Sequence, residues 1–248
     1  NNSGKIEVVD PITGKRIRQI TGLMSPRYVE AWGLSRTYVT DLYAGAVSII
    51  NRQSGEIMGS IKVNGWTEGI ASFGNFLAVA APTSGMVYLI DPEYAVLTDS
   101  LYTGMGPVHL ETDREGRLWI LCGGSPYYKS GAKLVNILPG TFEIAEEYQL
   151  PGENQYFSRM SYCPLSNTVY LLGQHIYRFR IGNREAERIV DAQGRLFYGM
   201  RADPSTGLLY VSDAVNYTQA GMVEVYDSLG EQIKKFRSGR IPGDFCFF

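Results

Sequence analysis

Short runs of apolar residues alternate with polar positions along the whole chain, and Gly, Asn or Asp lie between the runs. The runs are rich in β-branched and aromatic residues, which is typical of β-strands. No segment keeps the 3.6-residue apolar period of an amphipathic helix, so helical and leucine-rich solenoids fit poorly. The pattern therefore predicts an all-β chain.

One turn sequence recurs along the chain. It stands at 8–14 as Val-Val-Asp-Pro-Ile-Thr-Gly and returns in related form at 49–55, 89–94 and 225–230. The first three copies lie 41 and 40 residues apart, and a period of this size indicates a repeat architecture. The Asp or Asn of each copy is expected to accept hydrogen bonds from the backbone two residues further on.

The apolar runs group into units of four strands. Five complete units are predicted at 26–61, 66–101, 107–150, 157–190 and 198–236. Four-stranded units at this period predict a β-propeller, in a single domain over residues 1–248. An open β-sandwich is the structural alternative, although it does not explain the even spacing.

The two ends of the chain carry partial units. Residues 5–10 and 16–20 fit only a third and a fourth strand, and 241–247 fit only a first strand. Strands from both ends can share one blade, because closure of the ring removes exposed sheet edges. The expectation is six blades with one strand missing, or seven if an upstream segment completes an N-terminus that is incomplete here.

Composition narrows the function classes. The 248 residues carry a net charge of −2, which disfavours a nucleic-acid partner, and no apolar run is long enough to span a membrane. Cys122, Cys163 and Cys246 are widely spaced in apolar runs, so they are expected to be buried small hydrophobic residues without disulfides.

Catalytic chemistry has little support in the sequence. His109 and His175 are the only histidines and lie far apart, so neither a metal site nor a cofactor is predicted. Asp41, Asp113 and Asp213 end strands or begin loops, where Asp is common for structural reasons. Carboxylates could run glycoside chemistry only if they converged in space. The chain is therefore expected not to be an enzyme, with a carbohydrate lyase or hydrolase as an alternative.

Aromatic residues among Gly, Asn and Ser mark one set of loops. In a propeller, the loops joining strand two to strand three share a rim with the exits from strand four. The candidate ligand-binding residues on this rim are Tyr43, Trp66, Tyr127, Tyr128, Tyr156, Asn216 and Tyr217. Such a composition gives rigid contact area with adaptable polar neighbours. The alternative is that these rings only plug the channel or pack on neighbouring blades, as is expected for Trp32, Trp119 and Tyr210.

Four segments carry a resemblance to a known family. They are 25–29, 9–14, 210–214 and 239–247, of which the ending Gly-Arg-Ile-Pro-Gly-Asp-Phe-Cys-Phe is the most specific. On these four segments, the chain resembles the YncE-like surface β-propellers of Bacteroidetes. The resemblance implies a secreted lipoprotein on the extracellular face of the outer membrane or in the periplasm. It also implies seven blades. Compared with the family, this chain lacks N-terminal strands and any lipobox Cys.

A subgroup of that family, the BtuG-type proteins, captures corrinoids such as vitamin B12 for a TonB-dependent transporter. The resemblance therefore suggests a surface binding propeller with a small-molecule ligand, a corrinoid above all, and an outer-membrane transporter as partner. Membrane attachment would come only through an absent N-terminal lipid anchor. A protein-interaction scaffold without a small-molecule ligand is the alternative, because aromatic residues also dominate protein interfaces.

Overall fold

The computed structural model describes residues 3–124, 130–152 and 155–247. Within these residues every regular element is a β-strand, and no helix is present that could cross a membrane. The strands form one two-stranded and five four-stranded sheets, and every four-stranded sheet contains consecutive strands.

The first two four-stranded sheets follow a two-stranded sheet of β1 (Lys5–Val9) and β2 (Arg16–Thr21). One consists of β3 (Pro26–Trp32), β4 (Arg36–Asp41), β5 (Ala46–Asn51) and β6 (Ile57–Lys62). The next consists of β7 (Ile70–Phe73), β8 (Phe76–Ala81), β9 (Met86–Asp91) and β10 (Val96–Tyr102).

Three further four-stranded sheets follow. The first is β11 (Pro107–Thr112), β12 (Leu118–Cys122), β13 (Lys133–Ile137) and β14 (Ile144–Gln149). The second is β15 (Arg159–Cys163), β16 (Thr168–Leu172), β17 (Ile176–Arg180) and β18 (Glu187–Val190). The last is β19 (Phe197–Ala202), β20 (Leu209–Asp213), β21 (Met222–Tyr226) and β22 (Gln232–Arg237).

The recurring turn works as the sequence predicts. The side-chain oxygens of Asp10, Asn51, Asp91 and Asp227 each accept a hydrogen bond of 2.8 or 2.9 Å from the backbone N–H two residues on. Gly55 closes the second copy at φ 79°, in the left-handed region that glycine adopts without strain. The short polar side chain therefore fixes each hairpin turn without a partner from elsewhere in the chain.

The chain forms two compact units, residues 1–110 with 139–143, and residues 111–138 with 144–248. In the first unit, buried side chains from sheets β3–β6 and β7–β10 form one apolar cluster, which includes Tyr38, Val47, Leu77 and Ile90. Trp32 packs against this cluster, in agreement with the structural role expected for it. Sheets pack face to face here because the inward positions of their inner strands, β4, β5, β8 and β9, are mostly apolar and buried.

The second unit has its own core. Cys163, Tyr170, Met200 and Leu209 belong to one buried cluster between sheets β15–β18 and β19–β22. Trp119 is buried and its ring lies 5.7 Å from that of Phe179 in the following sheet, so its packing role between sheets is confirmed. Burial of such a large ring contributes several kcal/mol in typical cores.

The C-terminal segment differs from its prediction. Residues 241–247 lie in no strand, although a first strand was expected there. Pro242 cannot donate to a strand ladder, and its carbonyl instead accepts a hydrogen bond from Ser212 Oγ at 2.6 Å. The rings of Phe245 and Phe247 pack on Tyr210 with centroids 5.9 and 5.2 Å apart. Side-chain contacts therefore hold this segment against the last sheet.

The cysteine prediction is correct for two of three residues. Cys122 and Cys163 are buried, and all three cysteines are free thiols. Cys246 is exposed, because the segment that carries it runs beside the sheet and not within it.

Candidate functional site

Two candidate rim residues meet in the first unit. Tyr43 lies in the β4–β5 loop and Trp66 lies after β6. Their ring centroids are 5.5 Å apart at an interplanar angle of 87°, and each side chain is 49% exposed. An edge-to-face pair of this kind holds both rings in place, while half of each ring faces solvent.

The loop that carries Tyr43 is anchored by a buried carboxylate. The two oxygens of Asp41 accept hydrogen bonds of 2.7 Å from the backbone N–H groups of Met24 and Ser25. The carbonyl of Gly45 accepts a hydrogen bond of 3.0 Å from the backbone N–H of Val63, which follows β6. The β4–β5 loop is therefore tied both to the entry of its own sheet and to the exit from β6.

The exit from β6 is also tied to the next sheet. The Trp66 backbone N–H donates to Thr83 Oγ1 at 3.0 Å, and Thr83 belongs to the β8–β9 loop. Gly65 has φ 106°, and a Cβ there would lie 2.7 Å from Thr83 Oγ1, so a larger residue would force these loops apart. The strand-two exits and strand-four exits of this unit therefore lie together, as predicted.

The second unit presents two further candidate rings. Tyr156 follows β14 and lies against Gly123 at the end of β12, where a Cβ would be 2.9 Å from its ring. Tyr217 lies in the β20–β21 loop with its ring 6.0 Å from that of Tyr198. Both tyrosines are about half exposed. Tyr127 and Tyr128 lie outside the described residues.

Asn216 has a local structural role. Its Oδ1 accepts hydrogen bonds from the backbone N–H of Thr218, from Thr218 Oγ1 and from the backbone N–H of Gln219, at 2.9 to 3.1 Å. The flanking residues Val215 and Tyr217 have φ of 56° and 64°. Positive φ is costly for a β-branched or aromatic residue, and such strain clusters at functional loops. The turn therefore holds the backbone of Val215 and Tyr217 in a conformation that these residue types disfavour.

The acidic residues considered for catalysis accept hydrogen bonds that stabilise turns and loops. Asp41 binds two backbone N–H groups, and Asp213 Oδ1 accepts from the N–H groups of Leu196 and Val215 at 3.0 and 2.8 Å. Burial raises the pKa of Asp113, but hydrogen bonds from Trp119 and Arg117 outweigh it and hold that pKa below its usual value. Each carboxylate therefore holds nearby backbone or side chains in place, and Asp41 and Asp213 also tie the entry of their sheet to the loop they begin.

The histidines are also held by local contacts. The buried His109 ring lies 5.3 Å from the ring of Tyr28. His175 Nδ1 accepts a hydrogen bond of 3.1 Å from the backbone N–H of Ala192. Over the described part of the chain, no three His, Cys, Asp or Glu side chains come together as a metal site would need.

Comparison with known proteins identifies the architecture. The chain is similar to a hydrazine synthase from Kuenenia stuttgartiensis, at 18% identity with a TM-score of 0.83 over 97% of this chain and 82% of that chain. It is also similar to the β-propeller domain of Cps50 (Swd1) from Myceliophteria thermophila, at 13% identity with a TM-score of 0.71 over 86% of this chain and 74% of that chain. The fold is a β-propeller.

The four-stranded sheets are therefore blades, and the predicted fold class is confirmed. Across the described residues there are five four-stranded sheets, and the two-stranded sheet of β1 and β2 makes a sixth, partial blade, which agrees with the predicted range of six to seven blades. No family model and no curated protein matches the sequence. At these identities the neighbours show the fold alone, and a fold by itself does not assign a function. The narrower resemblance to YncE-like propellers stays a prediction.

Sequence reasoning missed the partners of the candidate rings. Tyr198 lies within a first strand and Thr83 within a loop of small residues, so neither had an aromatic-loop signal. The contacts that define the rim join loops from different strands or from different blades. Such contacts follow from three-dimensional stacking of blades, which a linear pattern does not contain.

Proposed function

We propose that this propeller is a non-catalytic binding protein whose ligand docks on the rim at Tyr43 and Trp66. The observation that carries the proposal is the edge-to-face pair itself, two half-exposed rings held at 87° by loops from two blades. Rings fixed in this way offer apolar contact area with little entropy to lose on binding. An aromatic pair needed only for packing would be expected to lie buried, as Trp119 does.

The surroundings of the pair favour a ligand with a flat apolar face and a polar edge. One ring face of the pair can stack on such a ligand, while Thr83 and Asn64 stand beside it as exposed polar side chains. A corrinoid has this character, since a broad planar ring carries amide side chains around it. Support for the corrinoid version comes from the sequence resemblance, as does support for a lipid-anchored location on the outer membrane and a TonB-dependent transporter as partner.

Isothermal titration with cyanocobalamin tests the proposal. We expect saturable binding by the wild-type protein and a loss of about tenfold or more for Trp66→Ala and Tyr43→Ala, because each ring supplies about 1–2 kcal/mol of contact. Tyr94→Ala is the matched control. This tyrosine is highly exposed in the β9–β10 turn of the same unit, yet it is no part of the pair.

Flat heats with cyanocobalamin would remove the corrinoid version. A broader small-molecule role would also fail if Trp66→Ala and Tyr94→Ala behaved alike towards every planar ligand tested. Thermal unfolding of each variant checks that lost binding does not come from lost folding.

The same half-exposed rings favour a second candidate, a protein-docking scaffold. Tyr and Trp are enriched among interface residues that dominate binding energy. This version predicts that an outer-membrane transporter co-purifies with the wild-type protein without any small molecule, and that Trp66→Ala abolishes the association while Tyr94→Ala preserves it.

A further inference from the structure

A second, separate concavity lies entirely within the second unit. It has a volume of about 630 Å³ and opens between strand β14 and the turn that follows β17. Its lining includes Arg117, Trp119, Asn136, Glu146, Tyr148 and Arg184. We call it the β14 cavity. Volumes of 300–1,000 Å³ are typical of small-molecule sites.

The register of the sheet explains why these side chains share one face. Trp119 pairs with Asn136, and Asn136 pairs with Glu146, so the three form one row across β12, β13 and β14. Tyr148 lies two residues beyond Glu146 on β14 and therefore points to the same face. The ring of Trp119 approaches Phe179 of the next blade, which shows that this face looks towards β17.

The cavity contains a buried polar group without a protein partner. Asn136 is 2% exposed, and its buried Oδ1 accepts no hydrogen bond from any described residue. The buried Nη2 of Arg117 also makes no hydrogen bond, although it lies 3.1 Å from a Glu115 oxygen as an ion pair. A buried polar group left unsatisfied costs about 1–3 kcal/mol. Both residues line the cavity, and because the two atoms are themselves shielded from solvent, an occupant of the cavity satisfies them once the side chains rotate towards it.

One partly exposed aromatic ring, that of Tyr148, completes the arrangement and packs on the buried Trp119. The rings of Trp119 and Tyr148 are nearly parallel, with centroids 6.1 Å apart and an interplanar angle of 30°. Burial and the hydrogen bond that its hydroxyl donates to Glu146 raise the pKa of Tyr148 to about 12. Tyr148 offers an uncharged ring to the cavity.

We propose that the β14 cavity binds a small planar molecule with an amide or lactam edge, the class to which nucleobases belong. The side-chain amide of Asn136 matches such an edge with one donor and one acceptor, whichever way the amide is turned. Arg117 Nη2 can donate to the ligand carbonyl once its side chain turns towards the cavity, and the partly exposed ring of Tyr148 can stack on the flat ring of the ligand. The proposal is independent of the rim, because no residue of the Tyr43–Trp66 pair contributes to the cavity.

The charged residues at the mouth of the cavity indicate which charge a substituent on the ligand ring would carry. Arg184 is exposed and makes no hydrogen bond or ion pair with the described residues. Glu147 is paired with Lys133 at 2.8 Å, and Glu146 accepts the Tyr148 hydroxyl. The unpaired cation at the mouth therefore favours an anionic substituent on the ligand.

Isothermal titration with uracil and nicotinamide tests the amide edge, and 1,3-dimethyluracil is the matched control ligand. The control keeps the ring and both carbonyls but lacks an N–H donor. We expect saturable binding of uracil or nicotinamide and binding of dimethyluracil that is weaker by about tenfold or more. Uridine 5′-monophosphate should bind about fivefold more tightly than uridine if Arg184 meets its phosphate.

Variants place the binding in this cavity. Asn136→Leu should weaken uracil binding by about tenfold or more, whereas Trp66→Ala should leave it unchanged. Arg184→Ala, at an exposed position, should remove only the preference for the monophosphate. Should Asn136→Leu fail to fold, the two ligand comparisons decide on the wild-type protein alone. Flat heats with both uracil and nicotinamide would overturn the proposal, and this is the result expected if ordered water alone binds Asn136. Binding of dimethyluracil as tight as that of uracil would also overturn it.

Discussion

A buried carboxylate on the last blade gives a stability prediction with a defined pH dependence. Glu224 on β21 is 0% exposed. Its Oε2 lies 2.6 Å from Arg195 Nη1, and its Oε1 lies 2.7 Å from Lys235 Nζ. The hydroxyl of Tyr226 also donates to Oε2. Replacing Glu224 by Gln keeps the size of the side chain and removes the negative charge that these partners share.

The size of the effect follows from how well the partners can reach water. Removing one partner of a fully buried ion pair typically costs about 3–5 kcal/mol. Here the side chains of Arg195 and Lys235 keep 21% and 41% of their surface exposed, so each can be hydrated once Glu224 is gone. We therefore expect a loss of about 2 kcal/mol, which for a chain of this length lowers the Tm by about 4–8 °C.

The pH dependence has a definite sign. Burial raises the pKa of Glu224, but the hydrogen bonds from Lys235 and Tyr226 and the charge of Arg195 outweigh it and lower that pKa. In the unfolded chain the pKa returns to about 4.3. The ionised carboxylate therefore stabilises the fold above that pH, and its contribution is lost as the pH falls through the folded-state pKa.

Urea unfolding of wild-type protein and Glu224→Gln between pH 3 and pH 7 measures both quantities. We expect the full difference in free energy of unfolding at pH 7 and a shrinking difference below about pH 4. Glu231→Gln, at an exposed turn of the same blade, is the control and should change the free energy by less than about 0.5 kcal/mol. A difference that is absent at pH 7, or that grows towards pH 3, would refute this account of the cluster.

Two further substitutions test how the rim is built. Gly123→Ala would bring a Cβ within 2.3 Å of the backbone oxygen of Phe157, so we expect a loss of about 2 kcal/mol or more in urea unfolding, and a neutral result would contradict the close approach. Asp41→Ala removes two hydrogen bonds, one to the buried N–H of Ser25 and one to the part-buried N–H of Met24, and should cost about 2–3 kcal/mol by the same measurement. Asp91→Ala, at an exposed turn, should cost about 1 kcal/mol or less. Equal losses for the two Asp variants would show that burial of Asp41 adds nothing.

The strand pattern was predictable because it depends on neighbours in sequence. A run such as Val-Ser-Ile-Ile-Asn at 47–51 has strand-forming residues and ends in a side chain that closes its own turn. The end at 241–247 was predicted incorrectly for a related reason. Its apolar residues match a strand, but Pro242 and its partner Ser212 are distant in sequence, and their contact decides the local structure.

The first and last residues of the strands were harder to predict from the sequence than the presence of the strands. The first strand after Trp66 was expected to begin at that residue, whereas β7 begins at Ile70. The difference has a physical cause. The N–H of Trp66 is bound by Thr83, and the N–H of Gly69 donates to Val108 O at 3.0 Å in the next blade. Partners supplied by a neighbouring blade compete with the ladder, and sequence alone does not reveal them.

The two candidate sites were not equally predictable from the sequence, because the rim consists of exposed loop residues and the β14 cavity depends on a buried strand residue. The rim was visible because loop aromatics such as Tyr43 and Trp66 stand out against the Gly and Asn around them. The β14 cavity was not, because Asn136 lies in an apolar strand and becomes notable only when its amide proves buried without a partner. A single polar residue in a buried strand position is therefore a useful signal in such repeats, since every hydrogen bond of the strand backbone is already used by its neighbours.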